Sequence, residues 1–397
     1  MFSFFQRTTF IGRFLCLLVL ITNLSQMPFF VDAGITQLLS YPIWGLAVIV
    51  CLFYRLRPRF GNIKGLLVLF VLFVMMYILL CAINEAYSRS QLPDVIILAF
   101  FILIIGTCFG PKVTDADLKY MYAFYIFSSL IVGFDVYKNY LEGQSFDSRT
   151  YLYDSKNSLC QILLTAWVLI IFAKFQCKNV LLKWLYILAF LFLTFEIFVL
   201  KSRASIIGMP IVIGFAVISG KVFPKIRKYS GIFVLCFILL MLNRNFFNFF
   251  VDNILLGSRD VSDLNDLSSG RSDEWIKFMD DWTNPFFGQG RCKRESLILT
   301  SLLEFGIFGG IPIIMLALYP LYYCKIKYKY YKQNVHFMIL LSLASAYCLN
   351  AVFEQQAPFG PGVKCYFLWF MLGIISVRGV VKYNGGYECK KYKYVRM

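Results

Sequence analysis

The amino-acid sequence predicts an all-α membrane protein, a polytopic bundle of about twelve transmembrane helices with short helices in one large loop. Three observations carry this prediction. Of the 397 residues, 59% are hydrophobic and only 15% are charged, a composition that does not suit a soluble domain. The apolar residues form runs of about 20, the length needed to cross roughly 30 Å of hydrocarbon. Finally, the basic residues concentrate between alternate runs, as they do in cytoplasmic loops.

Twelve apolar runs are the candidate spans. In chain order they cover residues 14–32, 35–54, 65–83, 94–110, 118–137, 158–175, 181–200, 204–220, 230–247, 297–322, 336–354 and 364–381. The two longest outer loops, 138–157 and 248–296, are too short and too polar to hold a core of their own. We therefore expect one integral membrane domain over residues 1–397, with these loops lying on the bundle as lids or rims.

The distribution of Lys and Arg places both termini on the cytoplasmic side, because basic residues near span ends stay inside. Most of the 39 basic residues then lie inside, together with only Asp115, Asp117 and Glu388 of the 22 acids. Removing the first run as a signal peptide at Ala33 would invert this pattern, so we interpret it as an uncleaved span. The net charge of +17 therefore reflects the membrane topology. The basic loops face anionic lipid, and nucleic-acid binding is not needed to explain the charge.

Cysteine and histidine usage gives no sign of a metal centre or a disulfide framework. The chain has twelve Cys without a Cys-x-x-Cys pair, and its single histidine is His336. A zinc or haem site is therefore not expected, and neither a metal nor a cofactor is predicted. Cys292 lies in the long outer loop and Cys365 near the same face, which leaves a bridge between them as an open alternative.

The short outer hairpin between the seventh and eighth runs carries charge at membrane depth. It places Lys201 and Arg203 on the side that elsewhere has few cations, one turn after Glu196. Ionisable groups at this depth usually line a cavity or meet a partner. Arg203 either pairs with Glu196 or reaches the lipid headgroups, or it faces a cavity as an anion-binding cation.

The second half of the long outer loop predicts a short surface helix followed by a tight turn. A serine at 268, 269 or 272 would cap the helix, and Asn284-Pro285 would end it. Aromatic residues recur on one face of this helix, so it would lie flat on the membrane. Its N-terminus beside Arg271 could hold a phosphate. In the turn, Gly288 and Gly290 favour either tight packing or close approach to a ligand.

Together these segments resemble the O-antigen polymerases (Wzy) and O-antigen ligases, a superfamily of polytopic glycosyltransferases of lipopolysaccharide biosynthesis. The resemblance lies between residues 201 and 309, and the order and spacing of its segments make it more specific than any one of them. Those segments are Lys201-Ser202-Arg203-Ala204-Ser205, Gly270-Arg271-Ser272 with Trp275, Asn284-Pro285-Phe286-Phe287-Gly288-Gln289-Gly290 and Leu303-Glu304-Phe305-Gly306-Ile307-Phe308-Gly309.

The resemblance implies glycan transfer at the periplasmic face of the bacterial inner membrane, with sugars carried on undecaprenyl pyrophosphate. It assigns Arg203 and Arg271 to the lipid diphosphate, and it implies a polysaccharide chain-length regulator as a partner. Ligases of the superfamily usually carry His-Asn eleven residues before the Gly of their Glu-x-Gly element. Here Glu295-Ser296 stands there, so polymerase is favoured over ligase.

The chemistry of such a transfer needs a base for the acceptor hydroxyl and cations for the departing diphosphate. Glu295 is the first candidate base and Glu304 the second; nine positions apart on a helix, they would face opposite sides. The alternatives are that Glu295 pairs with Arg291 and that Glu304 hydrogen-bonds to a neighbouring span. Further candidates for substrate contact are Glu196, Trp275, Arg291 and Arg294.

A lipid-linked oligosaccharide flippase or another transporter is the alternative from a different class. Transporters place ionisable groups near the midplane, at broken helices related by internal repeats. The charged residues here gather toward one face, and no repeat is visible in the sequence, which argues against this alternative.

Overall fold

The computed structural model describes residues 7–143, 156–173, 179–218, 231–232, 235, 238–255, 271–292, 294–360 and 362–378, and every regular element in them is helical. In chain order the α-helices are α1 (Phe10–Leu24), α2 (Pro28–Asp32), α3 (Thr36–Phe53), α4 (Lys64–Ile83), α5 (Leu92–Phe109), α6 (Asp115–Gly143), α7 (Lys156–Ala173), α8 (Val180–Val199), α9 (Arg203–Ile218), α10 (Arg244–Phe249), α11 (Arg271–Ile276), α12 (Phe278–Asp281), α13 (Leu297–Tyr331), α14 (Val335–Phe353) and α15 (Tyr366–Val377). Short 3-10 turns, Gly61–Ile63 and Glu85–Arg89, precede α4 and α5, and a π-helical turn, Phe250–Leu255, follows α10.

The prediction of an all-α fold is confirmed for the described residues, and the length and composition of the helices are consistent with a membrane protein. In the described part of the chain, seven helices are long and apolar enough to cross a membrane: α3, α4, α5, α6, α8, α13 and α14. Four shorter apolar helices, α1, α7, α9 and α15, coincide with four more predicted spans. The remaining predicted span, 230–247, lies partly outside the described residues, so the count of twelve remains a prediction.

Polar contacts define the two ends of the bundle. At one end Gln91, just before α5, bonds to Gln356 after α14, at 3.4 Å between the side-chain amides. The polar segment 271–296 enters α13 at this end, which we call the loop end. At the opposite end, the tail end, the Arg378 guanidinium after α15 bonds to Asp115 at the start of α6 at 2.7 Å. His336 of α14 lies 3.5 Å from the same carboxylate.

Close helix contacts at small residues hold the interior together. Helices α5 and α15 approach so closely that a Cβ on Gly106 would lie 2.5 Å from the Phe370 carbonyl oxygen. Small residues serve this purpose in membranes, where lipid supplies no hydrophobic drive between helices. Helices α1 and α6 are joined instead by polar groups: the Asn23 amide donates to the Ser128 hydroxyl at 2.9 Å.

The surface helix expected before Asn284 is present as two shorter helices. Helix α11 ends at Ile276, Lys277 forms a turn, and α12 ends at Asp281, so the apolar face does not run continuously. The backbone departs from helical geometry at two points. Lys277 at the junction has ψ −7° and offers no side-chain cap to α12, and Trp282 ends α12 with ψ +66°.

Candidate functional site

The site begins with a break in α13 at Gly306, which has φ +62° and ψ −165°. A continuous helix would bond Ile307 N–H to Leu303 C=O and Phe308 N–H to Glu304 C=O. The turn 284–290 satisfies all four groups instead. Its amides at Gln289 and Gly290 donate to the carbonyls of Leu303 and Glu304 at 2.9 and 3.1 Å, respectively. The amides of Ile307 and Phe308 donate to the carbonyls of Pro285 and Phe286 at 2.8 and 3.2 Å.

Because a broken helix beside hydrocarbon must find partners for its backbone, this exchange fixes the turn on the bundle. Three glycines allow it. Gly288 and Gly290 have φ of +76° and +81°, and a Cβ on Gly288 would lie 2.5 Å from the Gly306 amide nitrogen. A Cβ on Gly290 would lie 2.7 Å from that of Ala86. Of the two expectations for the turn, the structure shows tight packing.

Glu304 holds the same turn with its side chain. It is 2% exposed, its Oε2 accepts from the Ser90 hydroxyl at 2.5 Å, and its Oε1 accepts from the Cys292 amide at 2.9 Å. The Tyr87 hydroxyl lies 3.1 Å from the Phe287 carbonyl oxygen and 3.0 Å from that of Gly288. Glu304 therefore bonds to the segment before α5 and to the loop before α13, whereas the alternative weighed for it was a hydrogen bond to a neighbouring span.

Glu295 lies in a different environment from Glu304. Glu295 is exposed, and its backbone amide donates to Glu274 Oε2 at 3.1 Å. The neighbouring Arg294 forms an ion pair with Asp281. The Glu295 amide and the Arg294 side chain therefore tie α11 and α12, respectively, to the start of α13.

The other candidates of the loop lie around this junction. Trp275 on α11 is half exposed, and Arg291 is exposed. Arg271 begins α11, and its side chain lies outside the described residues. Burial raises the pKa of the Cys292 thiol, and Cys292 and Cys365 are both free thiols. The bridge left open between them is therefore not formed.

The α8–α9 hairpin buries its charges at the loop end. Glu196 is 0% exposed, and neither carboxylate oxygen accepts a hydrogen bond from any described residue, Arg203 included. The pairing of Arg203 with Glu196 is therefore not observed. Lys201 turns the chain at φ +49° and is 8% exposed, while Arg203 begins α9 half-buried.

Several polar residues at the loop end escaped the sequence analysis. Gln161 of α7 and Asn350 of α14 are buried near this hairpin, and Lys364, just before α15, is 7% exposed. Burial lowers the pKa of the Lys364 ammonium to about 8. Gln161 and Asn350 could have been found in the sequence, because their amide side chains stand inside apolar runs. Lys364 looked like an ordinary basic residue at a span end.

The described residues contain no group of three or more His, Cys, Asp or Glu side chains arranged to hold a metal ion. What the loop end offers is a set of buried carboxylate, ammonium and amide groups beside an anchored polar loop. Such an arrangement suits the binding of a charged, hydroxyl-rich ligand at a membrane boundary.

Comparison with known proteins adds no family to this geometry: no family model matches the chain, and no curated protein matches it in sequence. The fold defines the class, a helical membrane protein. Its loop end is the candidate site.

Proposed function

We propose that this protein is an O-antigen polymerase of the Wzy type, a membrane glycosyltransferase that joins undecaprenyl-pyrophosphate-linked oligosaccharides into a polysaccharide. The observation that carries the proposal is the burial of Glu196, Lys201 and Lys364 at the loop end. Ionisable groups at membrane depth are costly and mark substrate sites. A lipid-linked sugar diphosphate would present both charge and hydroxyls to that end.

A second observation supports the proposal. Two segments that carry the resemblance, 284–290 and 303–309, form one backbone-paired unit around the break at Gly306. Their spacing in the sequence therefore has a structural reason, since neither segment could keep its conformation without the other. The unit anchors the end of the polar loop against α13.

In the proposed reaction the acceptor hydroxyl attacks the anomeric carbon of the donor sugar. The bond from that carbon to the phosphate oxygen breaks, and the diphosphate leaves with the electron pair. Arg203 and Arg271 would bind the diphosphate oxygens, since guanidinium stays charged and forms bidentate pairs. Glu295 is exposed to accept the hydroxyl proton, and Glu304 would position the turn.

The proposal places the protein in the bacterial inner membrane with both termini in the cytoplasm and the loop end facing the periplasm. A chain-length regulator in the same membrane is a proposed partner. Because a diphosphate is already a good leaving group, the reaction needs no nucleotide, and we expect it to proceed without a metal ion. Strong inhibition by a chelator, reversed by a divalent cation, would contradict that expectation.

The test is gel analysis of surface polysaccharide from cells with and without this chain. Cells without it should carry a cap of a single repeat unit, and Arg203→Ala and Arg271→Ala should each fail to restore the ladder while reaching the membrane. Each loses a charged contact worth about 1.5–3 kcal/mol in binding. Arg89→Ala, which changes an exposed arginine at the same end, is the matched control and should restore the ladder.

Two other results would redirect the assignment. Full ladders with no attachment to the lipid A core, corrected by this chain, would identify a ligase. Translocation of the lipid-linked sugar by purified protein, without extension of the glycan, would identify a flippase.

A further inference from the structure

Three buried side chains at the loop end carry polar atoms without a hydrogen-bond partner among the described residues, although Gln161 Oε1 accepts from the Cys365 thiol at 2.8 Å. Both oxygens of Glu196, Nε2 of Gln161 and Oδ1 of Asn350 are unbonded, and none of the three residues is more than 1% exposed. Buried polar groups are nearly always paired, so each exception calls for an explanation. The oxygens of a carboxylate and of an amide only accept, so neither can bond to a carbonyl of its own helix as a serine hydroxyl can.

The three residues lie on neighbouring helices at the same end of the bundle. The Tyr347 hydroxyl, one turn inward of Asn350, bonds to the Gln161 carbonyl oxygen at 2.9 Å. Cys160, next to Gln161, contacts Ser202 at the head of α9 and lies within electrostatic range of Glu196. Helices α7, α9 and α14 pack against one another. The unbonded groups therefore share one level of the bundle, close to the hairpin.

The same level is closed on its inner side. A Cβ on Gly208 of α9 would lie 3.5 Å from Leu164 and 3.8 Å from Ala346, one turn inward of Gln161 and Asn350, respectively. Apolar contacts and the hydrogen bond between the Thr165 and Tyr347 hydroxyls, 2.5 Å apart, thus lie directly beneath the polar groups. A ligand that reaches them would arrive from the loop end and stop there.

The chemistry of the three groups selects among ligands. Glu196 and Asn350 Oδ1 offer acceptors, while Gln161 Nε2 offers a donor. A phosphate has only acceptors to offer the carboxylate and would be repelled by it. Sugar hydroxyls both donate and accept, which matches the mixture.

We propose that Glu196, Gln161 and Asn350 form the subsite that binds the glycan of the lipid-linked substrate, separate from the cations that bind its diphosphate. This inference rests on the proposed function. It adds two residues, Gln161 and Asn350, to which the resemblance assigns no role.

The experiment compares two probes on purified full-length protein in nanodiscs. One is the undecaprenyl-pyrophosphate-linked repeat unit extracted from cells that lack this chain, and the other is undecaprenyl pyrophosphate without sugar. Wild-type protein should bind the sugar-bearing lipid more tightly. Asn350→Leu and Gln161→Leu should each weaken binding of that lipid about tenfold, the loss of one hydrogen bond to a buried polar group, and leave binding of the bare lipid unchanged.

Melting temperatures of both leucine variants test their folding, because Gln161→Leu also removes the hydrogen bond that Gln161 Oε1 accepts from the Cys365 thiol at 2.8 Å. Ser342→Ala is the matched control. The buried Ser342 hydroxyl is also unbonded in the described structure, but it lies eight residues, about 12 Å, before Asn350 in α14. This variant should keep the preference for the sugar-bearing lipid.

The outcomes are separable. Leucine variants with raised melting temperatures and an unchanged preference for the sugar-bearing lipid would show that these groups hold only water, which overturns the inference. Equal binding of both lipids by wild-type protein would overturn it while leaving the proposed polymerase intact. Binding of neither lipid by wild-type protein would overturn the proposed function and the glycan subsite together.

Discussion

Replacing Gly306 by alanine should convert the broken helix α13 into a continuous one and release the turn 284–290. At φ +62° and ψ −165°, a region that is essentially restricted to glycine, another residue costs about 1–3 kcal/mol. Alanine also favours helix over glycine by about 1 kcal/mol. The added Cβ would meet the Phe287 amide nitrogen at 2.5 Å in the broken form, which real Cβ atoms do not tolerate.

The change in conformational preference is therefore at least about 2–3 kcal/mol toward the continuous helix, or about 30- to 150-fold in population. That helix would restore the bonds from Ile307 and Phe308 to the carbonyls four residues earlier. The amides of Gln289 and Gly290, which now donate to Leu303 and Glu304, would lose their acceptors to the restored helix.

Hydrogen–deuterium exchange on the purified protein in nanodiscs measures this directly. In Gly306→Ala the amides of Gln289 and Gly290 should exchange about 30- to 150-fold faster, by local opening. The amides at 307 and 308 should stay protected. Gly45→Ala is the control, because a Cβ there would meet nothing within 4 Å. Unchanged protection of Gln289 and Gly290 in Gly306→Ala would refute the exchange of bonds described above.

Three further changes test the contacts around this site and at the tail end. Ser90→Ala removes the buried hydrogen bond to Glu304 Oε2; an unsatisfied buried oxygen costs about 1–3 kcal/mol, so the unfolding temperature in detergent should fall. Gly12→Ala would bring a Cβ 2.8 Å from that of Asp117, which accepts a bond from the Thr9 amide at 2.9 Å; overpacking there should cost about 1–3 kcal/mol in thermal unfolding. The pKa of Lys364 is about 8 in the folded protein, below its value in the unfolded chain. Above pH 8 the unfolded chain therefore binds more protons than the folded protein, and the free energy of unfolding should rise with pH. Lys364→Met should abolish that rise and, below pH 8, increase stability by up to about 3 kcal/mol, as followed by melting curves across pH.

Each of these changes has a clear contrary result. Ser88→Ala, which removes an exposed hydroxyl bonded only to the nearby Glu85 carbonyl, should leave the melting temperature unchanged. If Ser90→Ala had the same melting temperature as Ser88→Ala, the hydrogen bond to Glu304 would contribute nothing to stability. Wild-type stability in Gly12→Ala would mean that α1 and α6 can move apart freely. A pH profile of Lys364→Met that follows the wild type would place the titration elsewhere.

The helices of this protein were largely predictable from the sequence, because the thickness of a bilayer imposes a local requirement on residue type. Eleven of the predicted spans coincide with helices of the described structure. The surface helix before Asn284 was placed correctly but not its division at Lys277. Short helices depend on a few capping contacts, and the pattern of apolar residues does not report these.

The break in α13 could not have been predicted in the same way. Leu303-Glu304-Phe305-Gly306 fits a continuous apolar helix, in which a glycine costs only about 1 kcal/mol. The break is stable because a turn some twenty residues earlier supplies donors and acceptors for it. Likewise, the partner of Glu304 is Ser90, 214 positions away. The sequence does not show that partner, and the role of Glu304 as a candidate base remains a prediction.

The sequence by itself determined that the chain lies in a membrane, which segments become helices and which loop carries most of the polar groups. Those properties depend on the free energy of transferring short segments from water to hydrocarbon, and that free energy depends mainly on the residues within each segment. The tertiary structure alone decided which polar groups find partners and which, like Glu196, stay unbonded among the described residues. These hydrogen bonds join donors and acceptors that are far apart in the sequence. Only the folded bundle brings the two partners together.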